Sequence, residues 1–275
     1  MIEALLKYQF MQNAFVAAFL GSILCGIIGT IIVEKKMVML GGGIAHASFG
    51  GVGLGYLIGV EPIYVAFFFS GVSSLGMASL KRKQGINVDT LVGIFWAVGM
   101  ALGILFISIM PGYPPDMSSY LFGDILTVSS SYLMVMFAVT LLVIISIVLF
   151  YNYFLSYLFD EEFSLVRGIP IKLFENILFI LISISIVSLL KVVGMILVIA
   201  LLTIPTAIAK LISKSFKIHI LVSILFSFIF CIGGLLISYY LNIPSGASII
   251  LLSGSVYFIY FFVVQIRKKR NYQRK

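Results

Sequence analysis

Long apolar runs, separated by short polar breaks, follow one another along almost the whole chain. A helix that crosses a bilayer needs about 20 mainly apolar residues. Nine runs approach this length, at residues 14–33, 39–59, 62–80, 90–110, 129–151, 172–190, 192–212, 218–241 and 245–266. Only Lys191 and its neighbours separate the sixth run from the seventh, so eight full crossings and a partial one remain an alternative. The pattern predicts an all-α, polytopic integral membrane protein with a single transmembrane domain over residues 1–275.

The composition excludes a soluble domain of this size. Apolar and aromatic residues make up 61% of the chain and charged residues only 10%, which is too little polar surface to cover a water-exposed fold. The net charge of +8 comes from short basic clusters between the apolar runs. No basic face follows a phosphate backbone, so we expect contact with membrane lipid and none with nucleic acid.

The basic residues indicate the orientation, because cytoplasmic loops of membrane proteins carry an excess of Lys and Arg. With the loop at Lys35 and Lys36 in the cytoplasm, sixteen of the eighteen basic residues lie on that side, and only Lys7 and Lys191 lie outside. The reverse orientation would place those sixteen outside. We therefore expect a multi-pass protein of the cytoplasmic (inner) membrane, with its C-terminus and basic tail 267–275 inside.

The second run is rich in glycine, although each glycine in a helix interior costs about 1 kcal/mol relative to alanine. Gly51, Gly55 and Gly59 are four residues apart, so they predict a bare face that another helix approaches closely. The three glycines at 41–43 permit a second interpretation, an unwound segment whose carbonyl groups line a pathway. The sequence leaves both open.

His46 lies in this glycine-rich run. An imidazole within a bilayer is costly and usually faces the bundle interior or a watery cavity. Neutral imidazole also suits transition-metal ions, although one histidine is not a complete metal site. A hydrogen-bonded interior histidine is the alternative.

The runs hold almost no charge in their centres. Glu61, Asp89, Glu175 and Lys191 fall at predicted helix ends, where they can reach the headgroups. Proton- and sodium-coupled carriers usually need carboxylates near the midplane, so their absence argues for another energy source. The chain contains no Gly-x-x-x-x-Gly-Lys-Ser/Thr motif, so we do not expect it to hydrolyse ATP or to act as an enzyme.

Residues 156–172 form the longest charged connection on the predicted cytoplasmic side. Three acidic residues begin it, Asp160, Glu161 and Glu162, and they favour the start of a short helix. Apolar residues at 159, 163 and 166 give that helix one apolar face, and Gly168 with Pro170 would end it. Such a helix suits docking to a soluble partner. A helix on the membrane surface is the alternative, although anionic lipids repel acidic residues.

Two further segments contain proline. Pro205 lies inside the seventh run between Thr203 and Thr206, whose hydroxyls can satisfy the carbonyl that proline leaves free, so it predicts a kink or a hinge. Residues 111–128 contain three prolines, two aspartates and no basic residue. They predict a helix end followed by a short outer-surface helix at 118–127, which either receives a cation or a protein or simply connects two spans.

Six segments resemble, in the same order, the permease subunits of the ABC-type manganese/zinc importer family. They are GGGIAHASFGGVGLG (41–55), NVDTLVGIFWAVGMALGILF (87–106), SYLFGDILTVS (119–129), FDEEFSLVRGIPIK (159–172), LKVVGMILVIALLTIPTAIA (190–209) and SYYLNIPSGASIILLSG (238–254). Each segment is weak alone, but the collinear set covers most of the chain from about residue 15 to 264.

The resemblance implies a homodimer of permeases around one pathway, a cytoplasmic ATP-binding subunit and an extracytoplasmic metal-binding protein. It implies that Zn²⁺ or Mn²⁺ is the transported substrate and that no cofactor is tightly bound. It also places Asp160, Glu161, Glu162 and Gly168 at the ATPase contact and His46 on the metal path. Family members often carry an aspartate where this chain has Gly42, and that departure leaves the identity of the metal open.

Three other functions remain alternatives. An importer of this type for a larger cargo, such as a metal chelate or cobalamin, would share the fold. An intramembrane enzyme would need His46 and Ser48 to act together, but side chains two positions apart on a helix do not face each other. A purely structural membrane subunit would show no substrate-dependent activity.

Overall fold

A computed structural model describes residues 7–84, 87–112 and 118–272, without the side chains of residues 84, 118, 119 and 265–272. Twelve α-helices and one 3-10 turn make up the described part, which contains no strand. The helices are α1 Gln9–Glu34, α2 Val38–Ala47, α3 Phe49–Ile58, α4 Pro62–Gln84, α5 Val88–Ser108, α6 Ser118–Phe122, α7 Ser130–Leu149, α8 Tyr151–Phe159, α9 Glu161–Val166, α10 Ile171–Ile212, α11 Phe216–Leu241 and α12 Ser245–Tyr272. The predicted all-α membrane fold is confirmed. The side chains of the predicted basic tail, residues 267–275, lie outside the described part of the chain, and so does the backbone of residues 273–275.

Side chains that match their positions define several helix starts. Asn87 caps α5 by accepting a hydrogen bond from the Asp89 amide at 3.1 Å. Ser129 and Ser215 cap α7 and α11 in the same way. Apolar runs of membrane-spanning length follow each cap, so the local sequence and the bilayer requirement agree.

Eight helices of the described part are long and apolar enough to cross a membrane, with α2 and α3 together forming one of them. One of the eight, α10, has 42 residues, or about 63 Å of helix, which is twice the thickness of a hydrocarbon core. Its backbone leaves the helical conformation at Gly194, where φ is 73° and ψ is 167°. α10 therefore consists of two helical segments, 171–193 and 195–212.

Ion pairs show that these two segments run in opposite directions. Glu61 and Arg82 lie at opposite ends of α4, and α10 reaches Glu61 through Lys191 and Arg82 through Glu175. Lys210, near the other end of α10, pairs with Glu34 at the end of α1. The neighbouring residue Lys35 lies over the ring of Tyr157, whose hydroxyl donates a hydrogen bond to Glu175 at 3.2 Å. We call the end with Lys35, Lys81, Arg82 and Lys210 the basic end and the end with Glu61 and Lys191 the opposite end.

Both ends of α10 therefore lie at the basic end, and its break at Gly194 lies at the opposite end. The two segments form a helical hairpin, so the eight apolar helices account for nine crossings. Of the two counts that the sequence allows, this geometry favours nine.

The core lies where α1 and α10 meet. Leu24 and Ile28 of α1 and Ile186 and Leu190 of α10 are fully buried. α10 also packs against α2, α4, α11 and α12, whereas one face of α5, α7 and α12 is left open to the surroundings. Burial of apolar side chains at the centre and their exposure at the periphery is the arrangement that a lipid environment allows.

The glycine-rich run is helical throughout its first half. Residues Gly41–Gly43 belong to α2 and are buried, so the interpretation of an unwound segment there is wrong. The interruption lies at Ser48 instead, between α2 and α3, where the Ser48 hydroxyl donates to the Ala45 carbonyl at 2.6 Å. A serine that bonds back to its own helix competes with the helical ladder and bends it.

The connection between α5 and α7 differs from the predicted surface helix. It consists of α6 and the separate turn Ile125–Thr127, and Tyr120 and Ile125 are buried against the bundle. Gly123 has a φ of 66° and meets Gly194 backbone to backbone, with no room for a side chain on either residue. The connection is thus fastened to the turn of the α10 hairpin. The prolines at 114 and 115 lie outside the described residues.

Candidate functional site

Two of the three predicted packing glycines let α3 lie directly on α4. A methyl group on Gly51 would be 2.7 Å from the Ala66 Cα, and one on Gly55 would be 2.6 Å from the Pro62 Cα. Gly59 does not belong to this face. It ends α3 in the left-handed conformation at φ 70°, with no atom near the position of a side chain, so its predicted packing role is wrong.

A second glycine contact, which the sequence reasoning missed, joins α2 and α3 to α5. A methyl group on Gly99 would lie 2.5 Å from the Ala47 Cα, and one on Gly53 would lie 2.5 Å from the Gly103 carbonyl oxygen. Gly99 and Gly103 are four residues apart, the same spacing that predicts close packing of α3. These contacts set α5 close enough to α2 for their side chains to stack.

His46 lies on α2, about 12 Å along the helix axis from its first residue. Its imidazole is half-buried and stacks on the indole of Trp96 from α5, with ring centroids 4.0 Å apart and an interplanar angle of 8°. The Nδ1 atom is buried and has no hydrogen-bond partner among the described residues. The alternative of a hydrogen-bonded interior histidine therefore has no support at Nδ1.

Apolar groups surround the position one turn before His46. A methyl group on Gly42 would lie 2.9 Å from the Ile199 Cδ1 and 3.6 Å from the Trp96 Cζ3. Within the described residues, no three His, Cys, Asp or Glu side chains lie close enough together to hold a metal ion. His46 thus offers one nitrogen ligand on a half-buried surface and is no complete binding site in a single chain.

Ser48 does not assist His46 chemically. Its hydroxyl is fully buried and donates to the Ala45 carbonyl of its own helix. This arrangement gives no support to the pair as catalysts.

Pro205 is buried inside the second segment of α10. Proline has no amide hydrogen, so the Leu201 carbonyl loses its helical donor. The predicted compensation by threonine is wrong, because the Thr203 hydroxyl donates to Ile199 at 2.8 Å and the Thr206 hydroxyl has no partner among the described residues. Instead, the Thr206 carbonyl lies 3.0 Å from the His219 Nε2 atom of α11. The helix therefore lacks one backbone hydrogen bond at Pro205, and the next residue, Thr206, contacts α11 through its carbonyl.

The charged segment 156–172 folds into two short helices rather than one. Asp160 separates them and caps α9, accepting a hydrogen bond from the Phe163 amide at 2.8 Å. Glu161 and Glu162 occupy the first turn of α9, where the helix dipole favours acidic side chains. Phe159 belongs to α8, so the single apolar face predicted across residues 159–166 is wrong in its register.

Gly168 ends α9 as its sequence position predicts. Its φ is 74°, and its amide donates to the Leu165 carbonyl at 2.9 Å, while the Ile169 amide donates to the Ser164 carbonyl at 3.0 Å. This pair of bonds is a Schellman motif, which favours glycine because other residues adopt a positive φ at a cost.

An ion pair anchors α9 to the bundle. Glu161 accepts a hydrogen bond from Lys35, which also lies over the ring of Tyr157 at 3.9 Å from its centroid. Burial lowers the pKa of Lys35, while the Glu161 carboxylate acts in the opposite direction. Burial, with Glu175 and Glu161 beside it, raises the pKa of the Tyr157 hydroxyl. The segment is therefore held firmly against the ends of α1 and α10.

The outer faces of α8 and α9 remain apolar and exposed. Phe159, Phe163, Leu165 and Val166 are all exposed, Val166 to 88%. Glu162 is exposed beside them. Exposed apolar side chains rimmed by charge are typical of a surface that another protein covers.

The opposite end carries a cavity of about 380 Å³ beneath α6. Glu61, Asp124, Tyr56, Tyr120 and Lys191 are among the residues that line it. Lys191 lies 3.3 Å from the Glu61 carboxylate and so neutralises part of the acidic lining. The cavity is therefore less acidic than Glu61 and Asp124 alone would make it.

Comparison with known proteins decides the family. The model of the ABC 3 transport family matches residues 7–264. The chain belongs to the ABC 3 transport family. The manganese transport system membrane protein MntC of Halalkalibacterium halodurans is 33% identical over 94% of this chain and 89% of its own. An uncharacterized membrane protein of Synechocystis sp. is 43% identical over 94% of this chain and 93% of its own.

Solved structures agree with this membership. PsaBC of Streptococcus pneumoniae, solved in complex with a Fab, matches with a TM-score of 0.85 and 31% identity over 95% of this chain and 94% of that chain. A transporter described as a putative metal-chelate type ABC transporter matches with a TM-score of 0.74 at 15% identity, which shows a shared fold alone. This ABC 3 family member is thus a multi-pass membrane transport subunit.

Proposed function

We propose that the chain is the membrane-spanning subunit of an importer for a divalent metal ion, Zn²⁺ or Mn²⁺, driven by ATP hydrolysis on a separate subunit. Family membership over residues 7–264, together with relatives named as manganese transport proteins, carries this proposal. The chain itself offers no ATP-binding loop motif, so a partner supplies the energy.

The path for the ion runs past His46. The ring is half-buried, and a neutral imidazole nitrogen is suited to a transition-metal ion. The described residues of one chain gather too few ligands for a closed site, so a second copy of the permease completes the pathway. A conduit that holds its cargo loosely also releases it, as conduction requires.

The ATP-binding subunit docks on α8 and α9 at the basic end. The exposed apolar side chains form the contact, and Asp160, Glu161, Glu162 and Gly168 fix its shape and charge. Lys35 links α9 to α1, and Tyr157 links the same region to α10, so movement of the docked subunit is transmitted to both central helices. In this orientation the basic end is cytoplasmic, as the positive-inside rule requires. The protein lies in the inner membrane, and an extracytoplasmic metal-binding protein docks on its opposite end.

Metal accumulation in cells tests this function. We expect deletion of the permease, and the variant His46→Ala, to lower cellular zinc or manganese by about tenfold relative to the intact strain at limiting external metal. Excess external metal restores the level. Supply of the same metal as a preformed chelate separates this function from import of a larger cargo. Unchanged levels of every divalent metal after deletion would overturn the proposal.

Docking has a test of its own. We expect the double variant Glu161→Lys and Glu162→Lys to lose ATP-driven uptake, because it inverts the charge of the docking helix, while the permease stays in the membrane. Glu162→Lys alone, which leaves the Glu161–Lys35 ion pair intact, should lower uptake in the same direction. The matched control Lys172→Glu inverts a charge at the same end outside α9. Full uptake by the double variant would exclude α9 as the docking element.

A further inference from the structure

We propose that Trp96 sets the metal preference at His46, favouring divalent ions that bind imidazole nitrogen well, with Zn²⁺ as the representative, over the oxygen-preferring Mn²⁺. The inference rests on the proposed passage of the metal past His46. It concerns a residue on another helix, 50 positions away in the chain, that meets the histidine only in the folded protein.

Stacking on Trp96 fixes the orientation of the His46 imidazole. A metal-binding histidine usually donates its second ring N–H to a carboxylate or carbonyl group, which fixes the ring. His46 lacks such a partner at Nδ1 within the described part of the chain. The parallel indole of Trp96, at 4.0 Å and 8°, covers one face of the ring and fixes its plane instead. Metal ions bind imidazole through a nitrogen lone pair in the ring plane, which stacking on a ring face does not cover. Because Nδ1 is buried, Nε2 is the atom that an ion would meet.

No carboxylate accompanies His46 one turn earlier on its helix. Gly42 lies one helical turn before His46, where a carboxylate would share the same face. A Cβ atom at this position would meet Ile199 at 2.9 Å and Trp96 at 3.6 Å, so these two side chains form an apolar wall there. Mn²⁺ favours carboxylate, carbonyl and water ligands, whereas imidazole suits Zn²⁺ and other later transition metals. Divalent affinity for one nitrogen ligand also rises from Mn²⁺ towards Zn²⁺.

The indole of Trp96 keeps this apolar wall in place beside His46. Gly99 and Gly103 bring the α5 backbone against α2 and α3, which places Trp96 over both His46 and Gly42. Trp96 is therefore a positioning residue for His46 and also blocks the place of a competing oxygen ligand. Removing the indole frees the imidazole and admits water, which Mn²⁺ accepts as a ligand.

The decisive measurement is the ratio of half-saturating concentrations for Mn²⁺ and Zn²⁺ in uptake by the complete reconstituted transporter. We expect the wild type to prefer Zn²⁺ and Trp96→Ala to lower that preference by about tenfold, the size of effect that residues orienting a metal ligand have. Trp96→Phe retains an aromatic face and should keep most of the preference. Phe95→Ala, a truncation of the neighbouring aromatic residue on α5, is the matched control.

A gain-of-ligand variant tests the wall directly. Gly42→Asp combined with Ile199→Ala supplies a carboxylate and the space for it, and we expect it to shift the ratio towards Mn²⁺ relative to Ile199→Ala alone. An unchanged ratio in both Trp96→Ala and the Gly42→Asp pair would overturn the inference and leave the import function standing. Failure of the wild type to transport either ion would overturn the import function itself.

A spectroscopic readout is independent of transport, because Trp96 is the single tryptophan of the chain. We expect Zn²⁺ to change the emission of the full-length permease in lipid nanodiscs saturably and His46→Ala to abolish the change. A Zn²⁺ response that persists in His46→Ala would contradict the assignment of the ion to this ring pair.

Discussion

At the scale of single residues, Glu175 joins more of the molecule than its sequence position predicts. The sequence places it at a helix end within reach of the headgroups, but the structure buries it to 2% exposure. It pairs with Lys81 and Arg82 of α4, both at 2.7 Å, and accepts a hydrogen bond from Tyr157 of α8. A buried carboxylate needs such partners, because burial without them costs several kcal/mol.

We expect Glu175→Gln to destabilise the permease by about 3 kcal/mol, because it leaves two cations near a buried site without their counter-charge. Thermal unfolding of the purified chain in detergent measures the loss. Glu162→Gln, which removes an exposed carboxylate, should change the unfolding temperature little. Equal effects of the two substitutions would show that the Glu175 pairs contribute nothing.

At the scale of elements, α5 packs against α2 and α3 through close backbone contact at glycine. The seam between α5 and the α2–α3 pair has Ala47 and Gly53 on one side and Gly99 and Gly103 on the other. In a membrane, where lipid is as apolar as leucine, helices associate largely through such close packing. The stacking of His46 on Trp96 depends on this seam.

We expect Gly99→Ala to destabilise the fold, because its methyl group would lie 2.5 Å from the backbone of Ala47, which cannot move aside alone. The cost should be about 1–3 kcal/mol, as for other overpacked sites. Gly93→Ala on the same helix meets no atom within 4 Å and should be neutral or stabilising. Thermal unfolding compares the two, and equal stability would contradict the seam.

At the scale of the whole molecule, the α10 hairpin determines the number of crossings. Glu175 and Lys210 bring both of its ends to the basic end, while Lys191 reaches the opposite end. An odd number of crossings places the two chain termini on opposite sides of the membrane.

Cysteine labelling with a membrane-impermeant reagent tests this topology in intact cells and in inverted vesicles. We expect Lys172→Cys and Lys214→Cys to react from one side and Lys191→Cys from the other. The native Cys25 and Cys231 are buried, so the wild type should give a low background. Labelling of Lys172→Cys and Lys214→Cys from opposite sides would mean that α10 crosses once.

Much of this architecture follows from local patterns, and the remainder needs contacts between distant segments. The apolar runs predict the crossings, and Asp160 and Gly168 predict where α9 begins and ends, because caps act on neighbouring residues. Four-residue glycine spacing predicts a close contact but neither its partner nor the end of a helix, which is why the packing role predicted for Gly59 is wrong.

The candidate site is less accessible to sequence reasoning. His46 stands out because polar residues are rare in the apolar runs, whereas Trp96 lies in an ordinary apolar run. Only the approach of α5 to α2 shows that the two rings stack.

The contact between Gly123 and Gly194 limits the substitutions that this chain can accept in evolution. Each residue has a positive φ, and a side chain on either would collide with the backbone of the other. A replacement at one position cannot be rescued at the second, since the second is already as small as a residue can be. The two glycines should therefore be conserved together, and a variant that loses one would need a different backbone conformation at the turn of the α10 hairpin.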